Sequence, residues 1–301
     1  MKNSLKNGQI IEKNIILKNS NNSQSILDLK RDDVVKKFEK NGVIIFRGFN
    51  LDKNKLVKFT NLFTSSYAND AARRKRRFNE QNIYDVDVGS QAVKLHSETS
   101  FSPASPEIIW FFCVTPSSNN SGSTILCDGL NLWNNLSSKT KNFFLSNPVI
   151  YSLKIPIEKK IKSKEGKRPW YLNKIGVKNC FINWTKGNIE FDFINFAVNE
   201  SRLKDQLCFS NHLLVTLKSE PQLKGRKMLF SKSIPKKVIN EVNKKAEEIT
   251  YRIKWEKNDL VMIDNKRFLH GRDSVKKNDR RDIVVMQSLI ANFAYGETTR
   301  N

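Results

Sequence analysis

Three histidines occur among the 301 residues: His96, His212 and His270. Any imidazole-based metal site must draw on them. His96 stands two residues before Glu98, in VKLHSETSF. In an extended strand, side chains two apart share a face. The pair can therefore offer an imidazole nitrogen and a carboxylate oxygen to one ion, with Ser97 turned away. A second imidazole must come from elsewhere. His270 is the natural candidate, because in LVMIDNKRFLHGRD it follows an apolar strand and a turn. Two histidines and one carboxylate leave three positions of an octahedral ion open, the arrangement of non-haem Fe(II) oxygenases. Those positions can take a bidentate 2-oxo acid and then dioxygen. His212, in SNHL, reads as a packing or hydrogen-bonding residue and is the fallback ligand. An H-x-E triplet alone is a weak signal, and its weight comes from its surroundings.

A 2-oxo diacid needs a cation for its far carboxylate, and the planar fork of arginine supplies two charge-assisted hydrogen bonds. Arg281 comes eleven residues after His270 and opens the apolar run Asp282–Ile290. An inward arginine there is costly without an anionic partner. Arg280 would then face solvent. The plainer alternative makes both of them strand-end surface charges.

The elements that must carry these residues are legible in outline. Asp32–Lys40 has helical spacing and stops at Asn41-Gly42. VIIF (43–46) is a short strand, and Asp52 caps a helix with Leu56, Val57, Phe59, Leu62 and Phe63 on its apolar face. Strand-length apolar runs follow at 108–114, 124–127, 149–153, 213–217, 249–255, 260–263 and 283–290. Helical stretches are expected at 130–145 and 235–248. The pattern predicts a mainly β fold with flanking helices. The expected organisation is a polar N-terminal segment, 1–30, and one domain, 31–301. Residues 65–92 and 154–190 read as loops or insertions that select the substrate. Phe101, Trp110, Phe111 and Phe112 are candidate site walls, although such aromatic runs are more often plain core.

Composition excludes some classes. Apolar residues make up 39% and aromatics 10%, enough for a sizeable core. The longest apolar run, Ile108–Val114, is far short of a membrane span. No secretory signal is visible, and four scattered cysteines read as reduced thiols, so a cytoplasmic protein is expected. The formal net charge is +23, with lysine outnumbering arginine 38 to 15. Lysines spread along the whole chain read as compositional drift more than as a nucleic-acid surface, because base readers lean on arginine. A basic nucleic-acid-binding protein without catalysis is the competing reading. The run Arg73–Arg77 stands apart, as a solvated loop or an anion-contacting lid. With Lys94 it could meet an acidic substrate or an acidic carrier protein.

Five segments in order then carry a family resemblance over residues 42–289: GVIIFRGF (42–49), LHSETSFSP (95–103), GSTILCDG (122–129), CFSNH (208–212) and DNKRFLHGRDSVKKNDRR (264–281). The chain resembles the TauD/TfdA-like family of Fe(II)- and 2-oxoglutarate-dependent dioxygenases. The resemblance implies a double-stranded β-helix (jelly-roll) core. It implies iron ligands at His96, Glu98 and His270, and 2-oxoglutarate contacts at Thr124 and Arg281. The implied chemistry is decarboxylation of 2-oxoglutarate to succinate, coupled to oxidation of a substrate C–H bond; hydroxylation is the usual outcome, with desaturation or ring closure as alternatives. Many relatives carry Asp at the position of Glu98. The Glu is similar to a branch holding clavaminate synthase, free amino-acid β-hydroxylases and the aspartyl hydroxylases of nonribosomal peptide assembly. The carboxylate argues against halogenation. Val285, where sulfonate-oxidising members carry arginine, makes taurine a poor candidate substrate.

Overall fold

A strand covered on both faces needs no polar positions, and Val43–Phe46 has none. The structure, a computed structural model, describes residues 14–20, 24–68, 74–86, 89–119, 121–156, 180–185, 188–203, 206–216, 226–230 and 234–293. Its first strands are β1 (Ile16–Lys18), β2 (Val43–Arg47), β3 (Thr64–Tyr67), β4 (Tyr84–Asp85), β5 (Val93–His96), β6 (Ile108–Thr115) and β7 (Thr124–Asp128). They are followed by β8 (Val149–Pro156), β9 (Cys180–Thr185), β10 (Asn188–Asn195), β11 (Val198–Glu200), β12 (Leu207–Phe209) and β13 (Arg226–Phe230). The last are β14 (Tyr251–Arg252), β15 (Leu260–Asp264), β16 (Phe268–Arg272) and β17 (Asp282–Ala291). The helices are α1 (Arg31–Asn41), α2 (Lys53–Asn61), α3 (Gly129–Asn135), α4 (Ser138–Ser146), α5 (Leu213–Thr216) and α6 (Lys236–Ile249).

Two sheets form the jelly roll. The larger runs β1-β2-β15-β6-β17-β3, with β4 also on β17, and the smaller runs β14-β7-β16-β5. Alternation assigns each residue a layer. Val43, Ile45, Ile109, Phe111, Val261, Ile263, Ile283 and Val285 of the large sheet pack with Leu126 and Phe268 of the small one. Their sequence neighbours Ile44, Phe46, Trp110, Phe112, Leu260, Met262, Val284 and Met286 point the other way, onto Val34, Phe38, Leu56 and Phe59 of α1 and α2. The outer face of the small sheet, with Leu95, Cys127 and Leu269, packs against α3, α4 and α6 through Trp133, Phe144 and Val242. A further sheet, β13-β8-β10-β9, and the hairpin β11-β12 complete the described structure.

Local chemistry explains the element ends. Gly42 closes α1 in the left-handed region at φ 70°, where a side chain would be strained. Asp52 accepts from the Lys55 N–H and starts α2. Several expectations are corrected. The helix expected at 130–145 is two helices, because Leu136 leaves helical conformation and Ser137 caps α4 by accepting from the Thr140 N–H. Of the strand expected at 213–217, residues 213–216 form the short helix α5, preceded by Asn211, whose side-chain oxygen accepts from the Leu213 N–H; residue 217 lies outside the described residues. The strand expected at 249–255 shrinks to β14, since α6 runs to Ile249 and ends at Thr250. Leu62, expected in the core, is exposed, beyond the last turn of α2. The region 65–92 holds β3 and β4 as well as loop. Within 154–190, the end of β8, all of β9 and the start of β10 replace part of the expected loop; residues 157–179 and 186–187 lie outside the described residues. Residues 1–13 of the polar N-terminal segment also lie outside them, whereas β1 pairs in parallel with β2. No helix among the described residues is long and apolar enough to cross a membrane.

Candidate metal and co-substrate site

Inward-facing positions of the small sheet interrupt the apolar layer with chemistry. On β16, Leu269 packs outward while His270 points between the sheets, its ring centroid 5.5 Å from that of Phe111. His270 pairs in register with His96 of β5 on one side and Leu126 of β7 on the other. The two imidazoles are thus cross-strand neighbours, with ring centroids 4.5 Å apart. Past that pair the register shifts, so that Arg272 lies opposite Val93. Gly271 makes room for this bulge, because a Cβ there would lie 2.5 Å from the Val93 carbonyl oxygen.

Glu98 is not on the strand, as the i, i+2 argument supposes. β5 ends at His96, and Glu98 opens the turn that follows. Asn265, fully buried between β15 and β16, fixes that turn. Its side-chain oxygen accepts from the Glu98 N–H at 2.7 Å, and its amide donates to the Glu98 carbonyl at 3.0 Å and to the Pro106 carbonyl at 2.8 Å. The hydroxyls of Ser97 and Ser210 both donate to the Asn265 carbonyl. The result brings Glu98 Oε2 to 3.7 Å from His96 Nε2 and 3.6 Å from His270 Nε2. Among the described residues, His96, Glu98 and His270 are the group whose donor atoms all lie within 4.8 Å of one another. Donors that share an ion with bonds of roughly 2.1 Å lie no more than about 4.2 Å apart, so both carboxylate–imidazole distances fit without rearrangement.

Protonation suits a cation. His96 Nδ1 lies 2.7 Å from the Lys94 carbonyl, which can only accept, so Nδ1 carries a hydrogen and Nε2 is the nitrogen turned toward Glu98. Burial and the neighbouring His96 bring the His270 imidazole down to about 4, against an upward pull from Glu98. It is therefore neutral at physiological pH. Burial alone would raise the Glu98 carboxyl, but His270, His96 and the Arg74 guanidinium outweigh it and hold it well below the usual range. His212 is adjacent yet separate: its ring lies 5.0 Å from that of His96, and its Nδ1 lies 3.2 Å from the Ser97 carbonyl oxygen.

A second polar group lies on the same inner face. Thr124 opens β7, two residues from Leu126, and is buried. Arg281 shares the parity of Ile283 and Val285, and its Nη2 donates to Thr124 Oγ1 at 3.2 Å. Trp255 Nε1 donates to the same hydroxyl at 3.2 Å. Burial, and the guanidinium of Arg272, push Arg281 down to about 10. Its Nε is buried without a hydrogen-bond partner among the described residues. Arg280 is exposed. The segment carrying Arg281 is tied to the turn before β7. Asp279 accepts from the hydroxyls of Ser117 and Ser121 and from the Ser118 N–H, and a Cβ on Gly122 would come within 3.0 Å of Arg281 Cδ.

Of the expected wall residues, Phe111 reaches His270, and Phe101 packs 4.9 Å from His212. Trp110 and Phe112 belong to the helix-side cluster instead. Sequence reasoning missed three residues. Asn265 was read only as part of a turn. Arg272 was not weighed, although it stands two residues from His270 on the same face; its Nη2 donates to the Gly89 and Gln91 carbonyls. Arg74 was hidden in a basic run, and its Nη2 donates to Glu98 Oε1 at 3.2 Å.

Comparison with known proteins agrees with this architecture. No curated protein sequence matches the chain. Among solved structures, PvcB from Pseudomonas aeruginosa superposes with a TM-score of 0.56 at 13% identity, covering 88% of this chain and 81% of that one. A second PvcB structure, described as an Fe, alpha-ketoglutarate dependent oxygenase from an isonitrile synthetic pathway, gives 0.55 at 12% identity, over 88% and 82%. AAD-2 in complex with Mn(II) and N-oxalylglycine gives 0.54 at 16% identity, over 88% and 89%. At these identities the likeness speaks for the fold. The sequence profile of the taurine catabolism dioxygenase TauD, TfdA family matches residues 16–287, and the chain belongs to this family of Fe(II)- and 2-oxoglutarate-dependent dioxygenases.

Proposed function

We propose that His96, Glu98 and His270 hold the ferrous ion, that Arg281 and Thr124 hold 2-oxoglutarate, and that the enzyme hydroxylates an unactivated C–H bond of an amino acid or related small metabolite. The observation that carries the reading is the convergence of three donor atoms within 4.8 Å on the inner face that also carries Arg281. Bound together, iron and 2-oxoglutarate would use dioxygen to oxidise a substrate C–H bond, one oxygen atom going to the succinate formed as carbon dioxide is lost and the other to the substrate. The protein's own residues do the rest. The two imidazoles and the ionised Glu98 offer the donor atoms, Arg281 meets the far carboxylate, and the Thr124 hydroxyl orients it. The apolar layer around Phe111 keeps water out.

The amino-acid class rests on the Glu98 branch of the family. The N-terminal segment and single catalytic domain, the cytoplasmic location and an acidic carrier for the substrate belong to the same proposal. The test is succinate formation by the Fe(II)-loaded protein with 2-oxoglutarate and a panel of amino acids, free and carrier-tethered. His270→Ala is expected to abolish coupled turnover. Unchanged succinate in that variant would remove the site assignment, and product masses would separate hydroxylation from desaturation or ring closure.

A further inference from the structure

The two oxygens of Glu98 have different neighbours. Oε2 faces both histidine Nε2 atoms, at 3.6 and 3.7 Å. Oε1 is turned toward Arg74 Nη2, at 3.2 Å, and the Thr99 hydroxyl, at 3.4 Å. Arg74 and Glu98 are both largely buried, with side chains 11% and 17% exposed. The stretch that delivers Arg74 is itself anchored. Arg76 bridges to Tyr84, and Arg77 grips Asp85 at 2.6 Å and Asp282, next to Arg281, at 2.8 Å. Among the described residues of that run, Lys75 and Arg76 are exposed whereas Arg74 and Arg77 are partly buried; Arg73 lies outside the described residues. One arginine pins the segment to β4 and β17, and another reaches the metal-side carboxylate.

The geometry points to Arg74 as a positioning residue that keeps Glu98 a one-oxygen ligand. A carboxylate free to swing can bind an ion through both oxygens and so take one more position of an octahedral set. A guanidinium on Oε1 removes that option, because a charge-assisted hydrogen bond competes for the same lone pairs. Three positions then stay open for co-substrate and water, as the proposed chemistry needs. This inference rests on the ligand assignment proposed above.

The test uses Mn(II) as the probe, added to the full-length apoprotein, with water-proton relaxation counting exchangeable water on the ion in the presence of 2-oxoglutarate. Arg74→Gln is expected to lower the relaxation enhancement of the ternary complex relative to wild type and to weaken 2-oxoglutarate binding roughly tenfold. Arg74→Lys keeps a cation near Oε1 and is expected to restore much of both; it also serves if Arg74→Gln folds poorly. Equal relaxation and equal 2-oxoglutarate affinity in wild type and both variants overturn the role of Arg74. If instead wild type shows no enhancement, or His270→Ala shows the same enhancement as wild type, the ligand assignment falls and takes this inference with it.

Discussion

Asn265 holds Glu98 by both of its backbone groups, accepting from its N–H at 2.7 Å and donating to its carbonyl at 3.0 Å. A side chain that mimics a paired strand lets Glu98 sit in a turn and still keep a fixed place beside β16. Asn265→Ala would leave the buried backbone groups of Glu98 and Pro106 without these partners, at a cost of about 2–4 kcal/mol. The expected outcome is a lower thermal midpoint together with loss of Mn(II)-induced stabilisation. A variant that lost stability yet kept full metal stabilisation would limit Asn265 to a packing role.

Arg281 leads to the opposite expectation for stability. A buried guanidinium without an anion is costly to the apoprotein, and Arg281 is held below its ordinary value by burial and by Arg272. Arg281→Met should leave the apoprotein midpoint unchanged or higher, while abolishing the upward shift that 2-oxoglutarate gives the metal-loaded wild type. Differential scanning fluorimetry with and without 2-oxoglutarate measures both.

Gly271 is a steric prediction. A methyl group there meets the Val93 carbonyl oxygen at 2.5 Å and the Lys94 backbone at 3.0 Å, and backbone cannot yield as a flexible side chain can. Gly271→Ala should push β5 away from β16 and separate His96 from His270. Metal affinity measured by calorimetry is expected to fall by more than tenfold, at a stability cost of about 1–3 kcal/mol. Near-wild-type affinity would show that β5 accommodates the methyl by sliding.

Acid sensitivity follows from Glu107, on the turn before β6. Burial would raise its carboxyl, but the Ala291 N–H and Lys266 outweigh burial and hold it below its ordinary value. The unfolded chain binds its proton near pH 4.3, the folded chain only at lower pH. Its contribution is therefore fully present above roughly pH 4.3 and is lost as pH falls toward the folded value. Urea unfolding at about pH 6 and about pH 3 should show a smaller stability loss in Glu107→Gln than in wild type.

How much of this was legible depends on the length scale of each signal. The scarcity of histidine pointed to His96 and His270, and their convergence agrees. The partnership of Thr124 and Arg281 followed the family resemblance. The strand argument for Glu98 rested on a geometry that the structure does not have, because a turn anchored by Asn265 replaces the expected strand. Residues 213–216 could not be separated into helix or strand by apolarity, whereas the structure shows the Leu213 N–H donating to the Asn211 side chain at the start of a helical turn. Arg74 was indistinguishable from its basic neighbours, because its direction depends on Arg77 meeting Asp282, a contact across 205 positions of chain.

The register that makes His270 the partner of His96 has a consequence for assembly. Slipping β5 by one residue against β16 would set a leucine where an imidazole belongs, because neighbouring side chains project to opposite faces. Mispaired chains could bury comparable apolar surface and still be unable to retain the ion. On the proposed ligand assignment, metal retention would therefore distinguish correctly zipped molecules from slipped ones.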